Sequence, residues 1–436
     1  MVLTGLLTVI PLTACGEKNG LSDIKAPVYA KGRQFEIGAF VSPFPTKTDY
    51  QTAADMGLTK MWIFPSQENH PQRTSPEYNQ ILEWCGEIGM KAIVQIGARG
   101  TVYPNEPDYT KMPGVGGICW WDEPRADDIP DVAKLAKKHM ELYGDKLPFM
   151  INHLPNWVEK EQKSLLGDLN SWGELLETYY KEVLTKITSG PRVLSYDVYP
   201  LMLKNGGRFV RADWVPGIAT FANIAQKYDL YKHVFIQATD HGGIYDVGTE
   251  ESLRFQFNTY LAFGFNDFSY FTYAWPDSDP DFTNSTALVD RVGEPTYLYY
   301  AAQKINKELK SFEHVYLNFE WVGAMPVKGT INKNPASTAG NMDFDGIGSI
   351  PFIKDYTATE HVIFGQFVDK DGRDGLQVTN FTQPYDGLYN TVKIEFTKAK
   401  KVLVYTKGTE KVHIIENNTF EFELEPGQGA FMIPLG

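Results

Sequence analysis

Along the chain, short apolar runs alternate with stretches in which apolar residues return every three or four positions. The runs at 35–44, 58–65, 90–97, 115–123, 146–155, 193–200, 230–238 and 265–275 read as buried strands, beginning 23 to 47 residues apart. Helical periodicity fills the gaps at 129–143, 172–187, 214–228 and 251–263, and 295–312 supplies an eighth helix. Eight strand-then-helix units with apolar strands predict an α/β fold, a parallel sheet closed as a (β/α)8 TIM barrel over 35–312. An open doubly wound sheet would carry a glycine-rich phosphate turn after its first strand, and Ser42-Pro43-Phe44-Pro45 offers no glycine there.

Near Val315 the pattern changes to alternation. The runs at 315–322, 361–369, 376–380, 392–396, 401–405, 412–415 and 419–424 predict an immunoglobulin-like β-sandwich of about seven strands over 313–436. The closing run 423–431 resembles the last strands of the C-terminal sandwiches on barrel glycosidases. Residues 329–358 read as a long insertion reaching back to the barrel.

The N-terminus reads as an address. Residues 1–13 are short and apolar, and Leu12-Thr13-Ala14-Cys15 resembles a bacterial lipoprotein signal cleaved before a cysteine that takes lipid. The expectation is a signal peptide over 1–15, a polar tether over 16–34 and a lipid anchor at Cys15 in the cell envelope, facing either the periplasm or the surface. The run is too short to span a bilayer. Cys85, in a helical pattern, and Cys119, in the fourth strand, read as buried free thiols.

A net charge of −13 argues against nucleic acid or an anionic membrane surface as partner. With 9 Trp, 24 Tyr and 26 Phe, the chain has ample aromatic surface for stacking on sugars, although cores use aromatics too. There is no His-Glu-x-x-His and no Cys/His metal spacing, so neither zinc nor a cofactor is expected. The aspartates of Asp277-Ser278-Asp279-Pro280-Asp281-Phe282 fail the EF-hand pattern, with Phe282 where glycine is needed and Leu288 where glutamate is needed. They read as an acidic loop at the site.

The chemistry concentrates where the fourth strand stops, at Trp120-Trp121-Asp122-Glu123-Pro124. Acids beside a helix N-terminus would explain Asp122 and Glu123 but neither tryptophan. Pro124 ends the strand, leaving both carboxylates at its carboxyl end, the edge where barrels do their chemistry. Splitting a glycoside needs one carboxylic acid to protonate the leaving oxygen and a second carboxylate as nucleophile or base. Trp120 and Trp121 would wall the acid with apolar surface, and Asp122 would add the negative charge that keeps it protonated.

This strand end resembles the Asn-Glu-Pro of the large clan of retaining (β/α)8 β-glycosidases. The resemblance implies that Glu123 is the general acid/base, that Asp122 replaces the asparagine binding the sugar 2-hydroxyl, and that Trp275 floors the −1 sugar. It also implies a glutamate nucleophile ending strand seven, and there the chain departs, with Gln237 in that place. Asp240, three residues on, ranks first as second carboxylate and Asp197, ending strand six, ranks next. Trp62, Trp157 and Tyr199 are expected as further platforms, with Asn152 and His153 bonding sugar hydroxyls. Two functions follow: an exported glycoside hydrolase acting on a β-linked poly- or oligosaccharide, favoured by Asp122-Glu123, or a glycan-binding lipoprotein on a degenerate barrel, favoured by Gln237.

Overall fold

All eight expected strands form, and all run parallel. They are β1 (Glu36–Ala39), β2 (Lys60–Ile63), β3 (Lys91–Gln95), β4 (Val115–Asp122), β5 (Phe149–Asn152) and β6 (Val193–Tyr196), followed, after an unanticipated hairpin of β7 (Leu201–Lys204) and β8 (Gly207–Val210), by β9 (Tyr231–Gln237) and β10 (Asp267–Phe271). The computed structural model describes residues 24–63, 71–96, 102, 106–276, 280–282, 285–333 and 339–436. Cys15 and the whole apolar leader lie outside the described residues, as do Asp277, Ser278 and Asp279 of the acidic loop.

The strands pair in two sheets, β2-β3-β4-β5 and β1-β10-β9-β6. The sheets are joined along both edges. Phe149 bridges Arg192 and His153 bridges Tyr196 on one side. On the other, Thr59 N donates to Ile37 O at 2.8 Å and Ile37 N donates to Thr59 Oγ1 at 3.0 Å. Side chains from both sheets meet between them, as where Trp62 of β2 packs 5.3 Å from Phe235 of β9.

Helices fill the connections: α1 (Lys47–Asp55), α2 (Pro76–Glu87), α3 (Ile129–Leu142), α4 (Val158–Glu161), α5 (Trp172–Glu182), α6 (Trp214–Lys227), α7 (Glu250–Leu261) and α8 (Tyr297–Tyr316). The side chains of Thr46, Ser75, Ser171 and Thr249 cap α1, α2, α5 and α7 by accepting otherwise unpaired N–H groups. α8 runs to Tyr316, so the change of texture placed near Val315 begins only after this helix. Cys85 and Cys119 are buried free thiols, and burial raises the pKa of both.

Among the described residues the C-terminal region holds nine antiparallel strands rather than seven. They are β11 (Phe319–Val327), β12 (Ile353–Ala358), β13 (Val362–Asp369), β14 (Asp374–Asn380), β15 (Asn390–Phe396), β16 (Lys401–Thr406), β17 (Thr409–Ile414), β18 (Thr419–Leu424) and β19 (Gly429–Leu435). Six pair in the order β11-β13-β14-β19-β16-β17 and three as β12-β15-β18, with Phe364, Val378, Ile394 and Phe420 in one shared core. β12 falls inside the stretch read as an insertion, and its four consecutive exposed residues left no buried period to read. α7 and α8 carry the contact between the two halves, α8 through Phe312 and Tyr316 against Tyr405, Phe367 and Phe431. Phe255 packs 5.2 Å from Phe381, Thr379 Oγ1 donates to Asn258 O at 2.8 Å, and Asn258 Nδ2 donates to Gly427 O at 3.0 Å. Gly427 has φ +67°, and a Cβ there would meet Glu251 O at 2.3 Å, so only glycine lets the strand turn approach α7.

Candidate active site

At its carboxyl end β4 leaves regular geometry. Its register against β5 shifts between Cys119 and Trp121, and Glu123 then adopts φ +50°. A non-glycine residue in that region stores strain, typically about 1–3 kcal/mol. The strain is held in place on both sides: Glu123 N donates to Asn152 O at 2.8 Å, and Pro124 is buried. Asp122 and Glu123 consequently project at the strand end, open to solvent. Trp120 does not wall them. It points to the helix layer, where Nε1 donates to His139 Nδ1 at 2.9 Å and its ring stacks on Phe149. Alternation along a strand sends neighbours to opposite faces, so two successive tryptophans could not both line one site.

Three strand ends converge through one amide. Asn152, ending β5, donates from Nδ2 to Asp197 Oδ1 at 3.0 Å and to Asp122 Oδ1 at 3.2 Å. Asp197, just past β6, is 8% exposed. Tyr199 adds a hydroxyl to Asp197. Lost hydration is the first cause raising the Glu123 carboxyl above its ordinary range, and the charges of Asp197 and Asp122 follow; solvent access tempers that rise. Asp197 is raised by burial and by Asp122, and lowered by the bonds from Tyr199 and Asn152. Asp197 neighbours Glu123, and both its charge and a hydrogen bond with it favour the protonated Glu123.

One flank is aromatic. Tyr199 stacks on Phe271 at 4.8 Å, and His241 lies between Tyr245 at 4.2 Å and Phe282 at 5.0 Å. The charges of Asp197 and Glu123 reach the Tyr245 phenol, whose pKa rises chiefly through burial. His241, Tyr245, Phe271 and Phe282 were missed in the sequence. The available signal was His241-Gly242-Gly243 directly after strand seven, where both glycines take positive φ and turn the loop back over the site.

Other expected residues stand apart from this cluster. Trp62 is fully buried, with Nε1 donating to Ser269 Oγ at 2.8 Å and rings of Phe40, His233 and Phe235 around it; it is core, with no face left for a sugar. Gln237 is also fully buried: Oε1 accepts from Leu201 N at 2.9 Å and Nε2 donates to Leu201 O at 3.0 Å. It reads one peptide unit and ties hairpin β7–β8 to β9, a task requiring an amide and leaving nothing for a substrate. Asp240 is occupied by Val247 N at 2.6 Å and Thr286 Oγ1 at 2.9 Å, so it ties its own loop to the segment after β10 rather than joining Glu123. His153 turns outward, its ring centroid 4.1 Å from that of Tyr179 on α5, where burial drops its pKa to about 3. Trp157 and Trp275 are half-buried, under the guanidinium carbons of Arg211 at 5.7 Å and Arg291 at 4.5 Å. Trp121 is buried at 7% exposure. Among the described residues no group of three or more His, Cys, Asp or Glu is placed to hold a metal ion, and no helix is long and apolar enough to cross a membrane.

No family profile and no curated protein sequence matches the chain. Solved structures do. A candidate alpha-galactosidase/melibiase from Bacteroides fragilis NCTC 9343 aligns with TM-score 0.51 at 11% identity, over 92% of this chain and 79% of that one. A xyloglucanase of glycoside hydrolase family 44 from Paenibacillus polymyxa gives 0.44 at 10%, over 92% and 96%. A GH30 endoxylanase from Clostridium papyrosolvens C71 gives 0.43 at 10%, over 94% and 98%. At such identities the likeness to the first of these shows a shared fold.

Proposed function

We propose that the chain is a glycoside hydrolase in which Glu123 is the proton donor and Asp197 the second carboxylate. The parallel strands make a closed (β/α)8 barrel, and 317–436 an immunoglobulin-like β-sandwich of nine strands. The observation that carries the reading is the convergence of Asp122 and Glu123 at the end of β4 with Asp197 just past β6, where Asn152 Nδ2 donates to Asp122 and Asp197 and Asp197 neighbours Glu123. Two carboxyls, one protonated and one ionised, supply the acid and the anion that glycoside cleavage needs. Asp197 displaces Asp240 as second carboxylate, because both Asp240 oxygens are engaged, one by Val247 of its own loop and one by Thr286 after β10.

A bound sugar enters between the pair. On binding, the pair must stand roughly 5–5.5 Å apart for retention or about 6.5–9.5 Å apart for inversion, with the glycosidic oxygen at Glu123. Glu123, exposed and at the end of a strained turn, is the member free to move. It delivers its proton to the leaving oxygen as the C1–O bond breaks. Asp197, now charged, either attacks C1 or takes a proton from the water that does. Asn152 and Tyr199 stabilise that charge by hydrogen bonds. The β-linkage is taken from the strand-four resemblance, and the aromatic flank of Tyr199, Tyr245 and Phe271 supplies sugar-stacking surface.

Proton NMR of the first-formed anomer during digestion of a panel of α- and β-linked glycans tests the proposal and reads retention or inversion. Tight binding of a glycan with no cleavage of any would replace the hydrolase with a glycan-binding protein. The chain is also proposed to be exported and lipid-anchored: with its leader intact in a bacterial host it should partition into detergent, and Cys15→Ala should abolish this. Equal partitioning of both forms would refute the anchor.

A further inference from the structure

We infer that His233 and Ser195 are positioning residues, the middle of a one-way hydrogen-bond chain through the buried interior that fixes which end of the Asn152 amide faces Asp122 and Asp197. The inference rests on the proposed role of the carboxylate pair.

The chain runs through five buried side chains. Trp62 Nε1 donates to Ser269 Oγ at 2.8 Å, and Ser269 Oγ lies 2.9 Å from His233 Nε2. His233 Nδ1 lies 2.7 Å from Ser195 Oγ, and Ser195 Oγ donates to Asn152 Oδ1 at 3.2 Å. Asn152 Nδ2 then donates to both carboxylates. Trp62, Ser195, His233 and Ser269 are fully buried and Asn152 is 5% exposed, so every link must be satisfied within the protein.

Its two ends decide its direction. An indole N–H can only donate, and an ionised carboxylate can only accept. Starting from Trp62, the Ser269 hydroxyl receives the indole proton and gives its own to His233 Nε2. His233 must then carry its single proton on Nδ1, giving it to Ser195, whose hydroxyl in turn is given to Asn152 Oδ1. With its oxygen held from below, the Asn152 amide can present only its NH2 to Asp122 and Asp197. The amide orientation and the histidine tautomer are therefore one property of the chain rather than two separate assignments.

A charged His233 would break it. A proton on Nε2 would point at the Ser269 oxygen, which already accepts from Trp62, and would strand the Ser269 hydroxyl proton. Lys60 of β2, paired with Asp267 of β10, is the cation facing His233, and Asp267 Oδ1 lies 3.9 Å from Nε2. Burial and the Lys60 charge both hold His233 uncharged. Its remaining neighbours, Trp62 at 5.3 Å and Phe235 at 4.9 Å, are apolar rings.

The test is NMR on the full chain with ¹⁵N-labelled histidine, the His233 signals being those lost in His233→Gln. In the unaltered protein Nδ1 should read as protonated and Nε2 as bare, without change between about pH 5 and pH 9. A second arm follows the Asp197 and Glu123 carboxyls by ¹³C shift. Ser195→Ala frees Asn152 to flip and should tighten proton binding at Asp197 by about tenfold, whereas Ser195→Thr, which keeps the hydroxyl, should titrate as the unaltered protein does. A proton on Nε2, a His233 that titrates in that range, or a Ser195→Ala variant with unchanged carboxyl titration would each overturn the inference. Neither arm uses turnover. A chain that cleaves no glycoside yet passes both would sink the hydrolase and leave the hydrogen-bond chain standing; an active hydrolase with the wrong tautomer would do the reverse.

Discussion

Asn152 in the parallel-stranded half and Asn390 in the antiparallel half are both buried amides with all their bonding inside the protein, and they do different things. Asn390 Nδ2 donates to the backbone carbonyls of Glu360 and His361 at 3.0 Å each, while its Oδ1 accepts from Glu360 N at 3.0 Å. It ties two strand connections together. Asn152 spends its amide on two carboxylates and takes its own orientation from a serine and a histidine. A buried amide bonded mainly to backbone closes a loop, even where the Thr359 hydroxyl and the Asn380 amide join it; one bonded to carboxylates transmits orientation and charge. By that measure Gln237, although it ends a strand at the rim of the site, belongs with Asn390.

The comparison can be broken in four ways. The largest effect should come from Glu123→Gln, which keeps shape and hydrogen bonding but not acidity. On unactivated glycan it should lose about 10²–10⁴-fold in turnover, with a smaller loss on aryl glycosides whose leaving groups need little protonation; full activity would remove Glu123 from its role. Next, Gln237→Glu should not create a nucleophile. It should set a carboxylate against Leu201 O and cost on the order of 3 kcal/mol by chemical denaturation; a stable variant with raised activity would return strand seven to the site. Asn390→Ala should cost about 1–3 kcal/mol by stranding buried carbonyls, yet leave turnover per folded molecule unchanged. A change in the pH profile would blur the distinction between the two asparagines.

Smallest and most specific is Asp197→Asn. The folded Asp197 carboxyl binds its proton more tightly than the unfolded one, whose ordinary value is 3.8. Below that value both states are protonated and nothing is lost. As pH rises from there into the neutral range the unfolded chain gives up its proton first, so the wild-type residue costs stability increasingly. Asp197→Asn should then be more stable than wild type at pH 8, by about 1–2 kcal/mol, and equal to it at pH 3. Equal thermal midpoints at pH 8 would mean that Asp197 is not under charge stress.

Much of the fold was legible because apolar period and chain length determine it. The eight strands appear where apolar runs predicted them, and Glu123 stands exposed at the end of β4 because Pro124 stops the strand. β12 escaped because four of its six residues are exposed and it carries no buried period to read. Hairpin β7–β8 escaped because nothing in its run of residues names Gln237 as its anchor.

The amino-acid sequence by itself determined the order of elements, the two contrasting halves and the strand end that carries the acids. These follow from local periodicity and from where proline and glycine interrupt it. Only the tertiary structure decided which carboxylate faces Glu123. Asp197 and Asp240 are both acids just beyond a strand in the same sheet, and they differ in which donors reach them: Asn152 from the adjoining β5 for Asp197, and Val247 and Thr286 for Asp240. That difference arises between segments dozens of residues apart, where hydrogen-bond geometry rather than residue order selects the partner.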